Sequence, residues 1–268
     1  MGADIKSLRN RIKSVRSTSQ LTNAMGLVAS SKIRRAQEAR IKSQQYAASL
    51  SSIVDVLTLS QECQKSPYVT PTGGKGIKVI VIAGDRGLAG GYNANVFRYV
   101  RDMGEVEVHP IGKKACDRYG ATPNSSERFS YEASYELAKE LCSDFLSGKY
   151  EKIGIVYTRY LSMIAQEPQV TWLFPLTKGE KGGENSGAIF EPDERTILES
   201  AIPVYVAGII YEATREAFAC EVVARRNAMD SAGKNAAAMI DSLQLQYNRA
   251  RQGAITQEIT EIVAGSGE

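Results

Sequence analysis

All eight prolines of the chain, Pro67, Pro71, Pro110, Pro123, Pro168, Pro175, Pro192 and Pro203, lie in its middle, leaving 66 residues before the first and 65 after the last without one. Proline removes a backbone donor and clashes inside a helix, so proline-free flanks of that length favour long helices. The first flank has the matching periodicity. Ile5, Leu8, Ile12 and Val15 alternate three- and four-residue steps, and the same two heptad tracks continue through Ser19, Thr22, Gly26, Ala29, Ile33 and Ala36. Small residues in the middle of that seam let a partner backbone approach, although Gly26 costs about 1 kcal/mol of helix propensity relative to alanine.

The last flank repeats the pattern. Met229, Ala236, Leu243 and Ala250 form one seven-residue track, and Gly233, Ile240, Tyr247 and Ala254 form the other. After Ala254 the apolar positions slip to Ile255, Ile259, Ile262 and Val263, as they do when a straight helix leaves a supercoil. The spacing predicts helices over about 3–57 and 205–263, each more than about 80 Å long at ~1.5 Å per residue. A compact middle of some 140 residues has a radius of gyration of only about 14 to 15 Å, so the two helices are expected to pair with each other as an antiparallel coiled coil. The expected division is an N-terminal coil helix over 1–60, a central domain over 75–195 and a C-terminal coil helix over 205–265.

Between the flanks, short apolar runs alternate with helical patterns. Ile77–Ala83 reads as a buried strand and Asn93–Met103 as a helix; Glu105–Ile111 reads as a strand and Lys113–Tyr119 as a helix. Ser134–Leu146 is a further helix, with Leu137, Leu141 and Phe145 on one face, and Lys152–Tyr157 and Gln169–Leu176 are strands. This order predicts a small parallel or mixed, Rossmann-like α/β domain. Lys178–Gly187, rich in Gly, Lys and Glu, reads as a mobile loop.

Gly84, Gly87, Gly90 and Gly91 follow a strand and open a helix, the place where phosphate-binding loops sit. Their spacing is not GxGxxG, and no Gly-Lys-Ser/Thr follows, so a tight structural turn is the expectation and no cofactor is assigned. His109, the one histidine, lies beside Pro110 in a strand and reads as an edge residue. There is no G-x-S-x-G elbow, and the acids are scattered singly, so no catalytic or metal-binding residue is assigned.

Charge points to protein rather than nucleic acid. The whole chain carries +3, but residues 1–57 hold ten Lys or Arg against three acids, and residues 212–268 six against eight. Opposite signs favour the helix pair, and the remaining positive charge suits an acidic protein surface. Almost no aromatic residue interleaves the basic ones, against nucleic acid. Cys63, Cys116, Cys142 and Cys220 are widely spaced without a CxxC pair, which predicts reduced thiols. No leader is read in Met1–Arg16, and no stretch is expected to reach the roughly 20 apolar residues of a membrane span.

Three stretches together resemble one family. Ile5–Arg35, IKSLRNRIKSVRSTSQLTNAMGLVASSKIRR, is similar to the opening of ATP synthase gamma subunits; GDRGLAGGYN resembles their SDRGL-C-G-type turn, with Gly84 and Ala89 as departures. Residues 243–265, LQLQYNRARQGAITQEITEIVAG, are the most specific match, supported upstream by Glu221, Arg225, Ala228 and Met229. Gly26 stands where many relatives carry a charge, and the cysteine insertion of the plant plastid form is absent. IFEPD, residues 189–193, resembles the stretch near the foot of the family's stalk.

The resemblance implies a central rotor stalk with no catalytic site of its own. Its coiled coil would turn inside a ring of three alpha and three beta subunits, with its lower part on the epsilon subunit and the c-ring. Proton or sodium flow would drive ATP synthesis through it, and hydrolysis would reverse it. Partner-contact positions carried over are Met25, Arg34, Arg35, Glu221, Arg225, Arg251, Gln252, Thr256 and Glu258, with Ile255, Ile259, Ile262 and Val263 as an apolar rotor tip. The implied location is peripheral, at the cytoplasmic face of the cell membrane, which is touched only through the c-ring. A free-standing coiled-coil adaptor would account for periodicity and charge but not for the TQEITEIV ending.

Overall fold

The computed structural model describes residues 2–70, 73–177, 191 and 193–265. The segments 178–187 and 189–190 discussed above lie outside them. Two helices dominate, α1 (Gly2–Thr58) and α5 (Glu194–Gly265). The chain divides into two compact units, one of residues 1–30 with 225–268 and the other of residues 31–224.

The first unit is an antiparallel helix pair. A Cβ on Gly26 of α1 would lie 3.6 Å from that of Met229 on α5, and three residues earlier Asn23 approaches Gly233, four residues later. Every predicted seam position is at least half-buried: Ile5, Leu8, Ile12, Val15, Ser19, Thr22 and Gly26 are half-buried and Ala29 is buried. On α5, Met229, Ala236 and Leu243 are buried, while Gly233, Ile240, Tyr247, Ala250 and Ala254 are half-buried. From Ile255 to Gly265 every residue is exposed. The slip in the apolar pattern marks that change.

The second unit holds a four-stranded sheet, β1 (Ile77–Ile82), β2 (Glu107–Ile111), β3 (Lys152–Tyr160) and β4 (Gln166–Phe174), in the order β2-β1-β3-β4. The first three strands are parallel and β4 returns antiparallel by a hairpin. The inner strands β1 and β3 are almost continuously apolar because both faces of the sheet are covered. On one face Val79, Val81 and Val156 meet Val96 and Val100 of α2 (Tyr92–Asp102), and a short helix, α3 (Lys113–Tyr119), follows β2. On the other, Ile80, Ile82, Ile153 and Ile155 join Leu141 and Phe145 of α4 (Tyr131–Leu146). Val54 and Leu57 of α1 and Leu198, Ile202, Val206 and Ile210 of α5 complete that core. Phe145 and Phe174 stack within it, centroids 4.8 Å apart.

Some boundaries differ from the sequence pattern. Helix α5 begins at Glu194, not near 205, and runs through Pro203. Asp193 caps it, accepting from Thr196 N at 2.8 Å. Proline inside a helix costs about 3 kcal/mol, but Leu198 and Ile202 before it and Val206 and Ala207 after it are wholly buried, which more than offsets that. The same apolar run also corrects the membrane expectation. An 18-residue window of α5 reaches a mean hydropathy of 1.2, enough to span a bilayer by length and composition. In this chain α5 supplies core residues to the sheet.

Helix α4 begins three residues earlier than its apolar face suggests, because Ser130 caps it by accepting from Ala133 N. The hairpin extends to Tyr160 and Gln166, and edge position lets β4 carry Pro168. His109 lies on β2, the opposite edge, where burial pushes its pKa down. All four thiols are free and buried.

Candidate coupling surfaces

The glycine-rich turn after β1 is organised by one carboxylate. Asp85 Oδ1 accepts from Lys113 N at 3.1 Å and Ser126 N at 2.9 Å; Oδ2 accepts from Ser125 Oγ at 2.6 Å and Glu127 N at 3.2 Å. Burial opposes the charge of Asp85, yet these donors outweigh it and hold its pKa below the usual value. Asn93 Oδ1 accepts from Gly84 N, closing the turn onto the start of α2. Gly90 takes a positive φ of 59°, but the other left-handed position is Leu88 at 60°, not Gly87.

In sheets of this kind, ligands bind outside the carboxyl ends of the strands where the strand order reverses, here between β1 and β3. Helix α5 occupies that crevice. Tyr92 and Ala89 pack with Cys220, and Tyr92 Oη donates to Ala217 O at 2.8 Å. Cys220 Sγ donates to Thr158 O, and Glu216 accepts from Tyr160 N at 3.0 Å. A Cβ on Gly84 would come within 2.6 Å of the Glu221 carboxyl carbon, so this glycine leaves room for a buried acid of α5. The sequence placed a tight turn here but had no signal for what the turn holds.

One further acid of α5 titrates in an informative range. Burial, with Glu216 one turn away, pushes the Glu212 carboxyl up to about 7, while Arg40 works in the opposite sense. The folded chain therefore keeps a proton on Glu212 that the unfolded chain releases above about 4.5. Stability is expected to fall as pH rises from about 4.5 through about 7. Glu212→Gln should flatten that decline and raise Tm at pH 8; thermal melts from pH 4 to 9 check it, and an unchanged slope in the variant would refute it.

Beside the turn lies a basic groove of about 580 Å³, lined by Lys32 and Arg35 of α1, Arg86 of the turn, Arg128, and Arg215 of α5, with Glu127 as the one acid. Of the expected contact residues, Arg35 lines this groove, whereas exposed Arg34 pairs with Glu38 at 3.0 Å on the same helix. Glu221 is buried at 2% exposure. In the helix pair, Met25 and Arg225 are half-buried. Arg251, Gln252, Thr256 and Glu258 are exposed, and Thr256 Oγ donates to Gln252 O. Ile255, Ile259, Ile262 and Val263 are 43 to 70% exposed. Lys32, Arg128 and Arg215 were not singled out from sequence, because only the fold gathers them beside Arg86.

Comparison with known proteins agrees on one family. The profile of the family described as ATP synthase matches residues 4–267. The ATP synthase gamma chain of Moorella thermoacetica is 36% identical over 98% of both chains, and that of Geotalea uraniireducens 35% identical over the same shares. Among solved structures, a chain of the Euglena gracilis mitochondrial ATP synthase, OSCP/F1/c-ring, superposes with a TM-score of 0.67 at 17% identity, covering 99% of this chain and 94% of that one. One from the Tetrahymena thermophila mitochondrial ATP synthase central stalk/c-ring gives 0.62 at 19% identity, over 79% and 99%. These two likenesses are of fold. The full-length identity to the bacterial sequences carries the assignment, and the chain belongs to the ATP synthase gamma chain family.

Proposed function

We propose that the chain is the central rotor stalk of an ATP synthase and works by geometry, without a catalytic centre of its own. Identity above one third, along the whole length of chains named as gamma subunits, carries this reading. In it, the helix pair turns inside a ring of three alpha and three beta subunits, and the α/β body meets the epsilon subunit and the c-ring. The assembly is peripheral, on the cytoplasmic face of the cell membrane, and reaches the lipid only through the c-ring.

The surface chemistry suits the role. A shaft must turn without deep position-specific contacts, and the exposed apolar end at Ile255, Ile259, Ile262 and Val263 suits an apolar sleeve with little directional preference. Directional contacts fall to Arg251, Gln252, Thr256 and Glu258, to Met25 and Arg225, and to Arg34 and Arg35, while Glu221, carried over as a contact, is buried against Gly84 and acts within the body. The basic groove around Arg35 and Arg86 suits acidic segments of the ring, so its contribution weakens with salt.

Reconstitution with alpha and beta subunits tests the reading. Native mass spectrometry is expected to give a three-to-three-to-one assembly with ATPase activity above that of alpha and beta alone. A chain that stays apart and leaves the activity unchanged would overturn it.

A further inference from the structure

Burial alone does not fix the twist of a helix. The apolar contacts of Ile202, Val206 and Ile210 hold α5 against the sheet, but such contacts are non-directional and resist separation far more than rotation about the helix axis. Hydrogen bonds to fixed acceptors do resist rotation, because they weaken steeply with misalignment.

One such set lies at the end of the sheet. Arg215 of α5 donates from Nη2 to Ser126 O and Phe129 O, both at 3.0 Å, and from Nη1 to Glu127 O at 3.2 Å. Lys32 of α1 reaches the same segment, pairing with the Glu127 carboxylate at 2.7 Å. The segment is itself anchored. Asp85 holds Ser125, Ser126 and Glu127, while Asn124 accepts from Gly112 N at 2.6 Å and donates to Pro110 O at 3.0 Å. Residues 124–129 thus form a strap, fastened to the carboxyl ends of β1 and β2, that takes hold of both long helices.

The Arg215 site fixes direction as well as contact. Its cation is bound by backbone carbonyls, and its Nε is buried without an acceptor. The side chain is half-buried, and its guanidinium lies over the Tyr211 ring, 5.2 Å from the centroid. What the guanidinium adds is an orientation held at three points.

We propose that the strap is a torsional lock, with Arg215 as its positioning residue, which keeps α1 and α5 from twisting against the α/β body under load. The inference rests on the rotor reading above. Torque entering through the body would reach the helices through the apolar core, through the crevice bonds of Ala217, Glu216 and Cys220, and through the strap, where one side chain is held at three points.

The test uses the chain assembled with alpha and beta subunits. The ring is anchored, and a bead is attached through Lys139→Cys on exposed α4, the native thiols being buried. The readout is the angular width of the bead while the rotor dwells. Arg215→Ala is expected to raise the angular variance at least about twofold, since three charge-assisted bonds, each stronger than the neutral bonds in the crevice, are lost at once. Arg215→Lys, with one compact donor head, should fall between, and Lys32→Gln should give a smaller rise. A lock that mattered only for folding would lower the yield of complex without widening the distribution.

Wild-type width in Arg215→Ala would overturn the proposal. If that variant does not assemble, wild-type width in both Arg215→Lys and Lys32→Gln would do so. A wild-type complex that assembles but never rotates would instead remove the rotor reading, so the two failures are distinct.

Discussion

Asp85→Ala is expected to lower the Tm of the unit formed by residues 31–224 by about 6 to 20 °C. The carboxylate collects four donors from two segments distant in sequence. A hydrogen bond to a charged group contributes about 1.5 to 3 kcal/mol, and the four are not additive, so a total of about 3 to 5 kcal/mol is reasonable. At about 2 to 4 °C per kcal/mol for a unit of this size, the stated shift follows. Asp85→Asn keeps the shape but can accept through one oxygen only, and should lose roughly half as much.

The same residue gives a pH signature that separates electrostatics from packing. Its folded pKa lies below the ordinary value of 3.8, so its contribution is complete above that value and is lost as pH falls through the folded pKa. The gap in Tm between wild type and Asp85→Ala should be constant near neutrality and close below about pH 4. A gap that persists unchanged in acid would mean that the alanine acts by leaving a void, and the carboxylate account would be wrong.

Leu243→Asp is expected to open the helix pair while leaving the sheet intact. Leu243 is 4% exposed in the seam, one heptad from Ala236 and from Ala250. Removing a buried leucine side chain costs about 2 to 5 kcal/mol, and an unpaired carboxylate in its place adds more, so about 4 kcal/mol is a lower estimate. Each 1.4 kcal/mol is a factor of ten, so amide exchange over residues 5–29 and 229–254 should quicken about a thousandfold. The amides of β1 and β3 should keep their protection. Equal loss in both places would show one cooperative unit, against the separation implied by the two compact bodies.

Features that repeat locally were legible in the sequence. Heptad spacing placed the seam from Ile5 to Ala36 and from Met229 to Ala254, and the slip at Ile255 marked where burial ends. Apolar runs located the inner strands β1 and β3, since a strand covered on both faces carries little polar interruption. What escaped depends on contacts distant in the chain. Pro203 argued for a helix starting later, and only the core around Ile202 and Val206 explains why it does not. Arg215 looks like one more charge on a long helix until its three carbonyl acceptors, 86 to 89 residues away, are known. Likewise, a glycine at 84 says that space is needed, whereas Glu221, the group that takes the space, lies on another element.

The crevice at the ends of β1 and β3 has a further consequence. Where comparable sheets bind a diffusible molecule, the occupant here is α5, joined to the sheet by the same backbone. A tethered occupant has an effective concentration fixed by the connection, so its occupancy does not depend on supply and cannot be lost by dilution. A diffusible ligand would leave at a finite rate and release whatever it restrained, whereas a helix that serves as its own permanent ligand returns to the same seat after every local opening. The place where other sheets of this kind hold a small molecule is, in this chain, a socket that stays filled through repeated mechanical cycles.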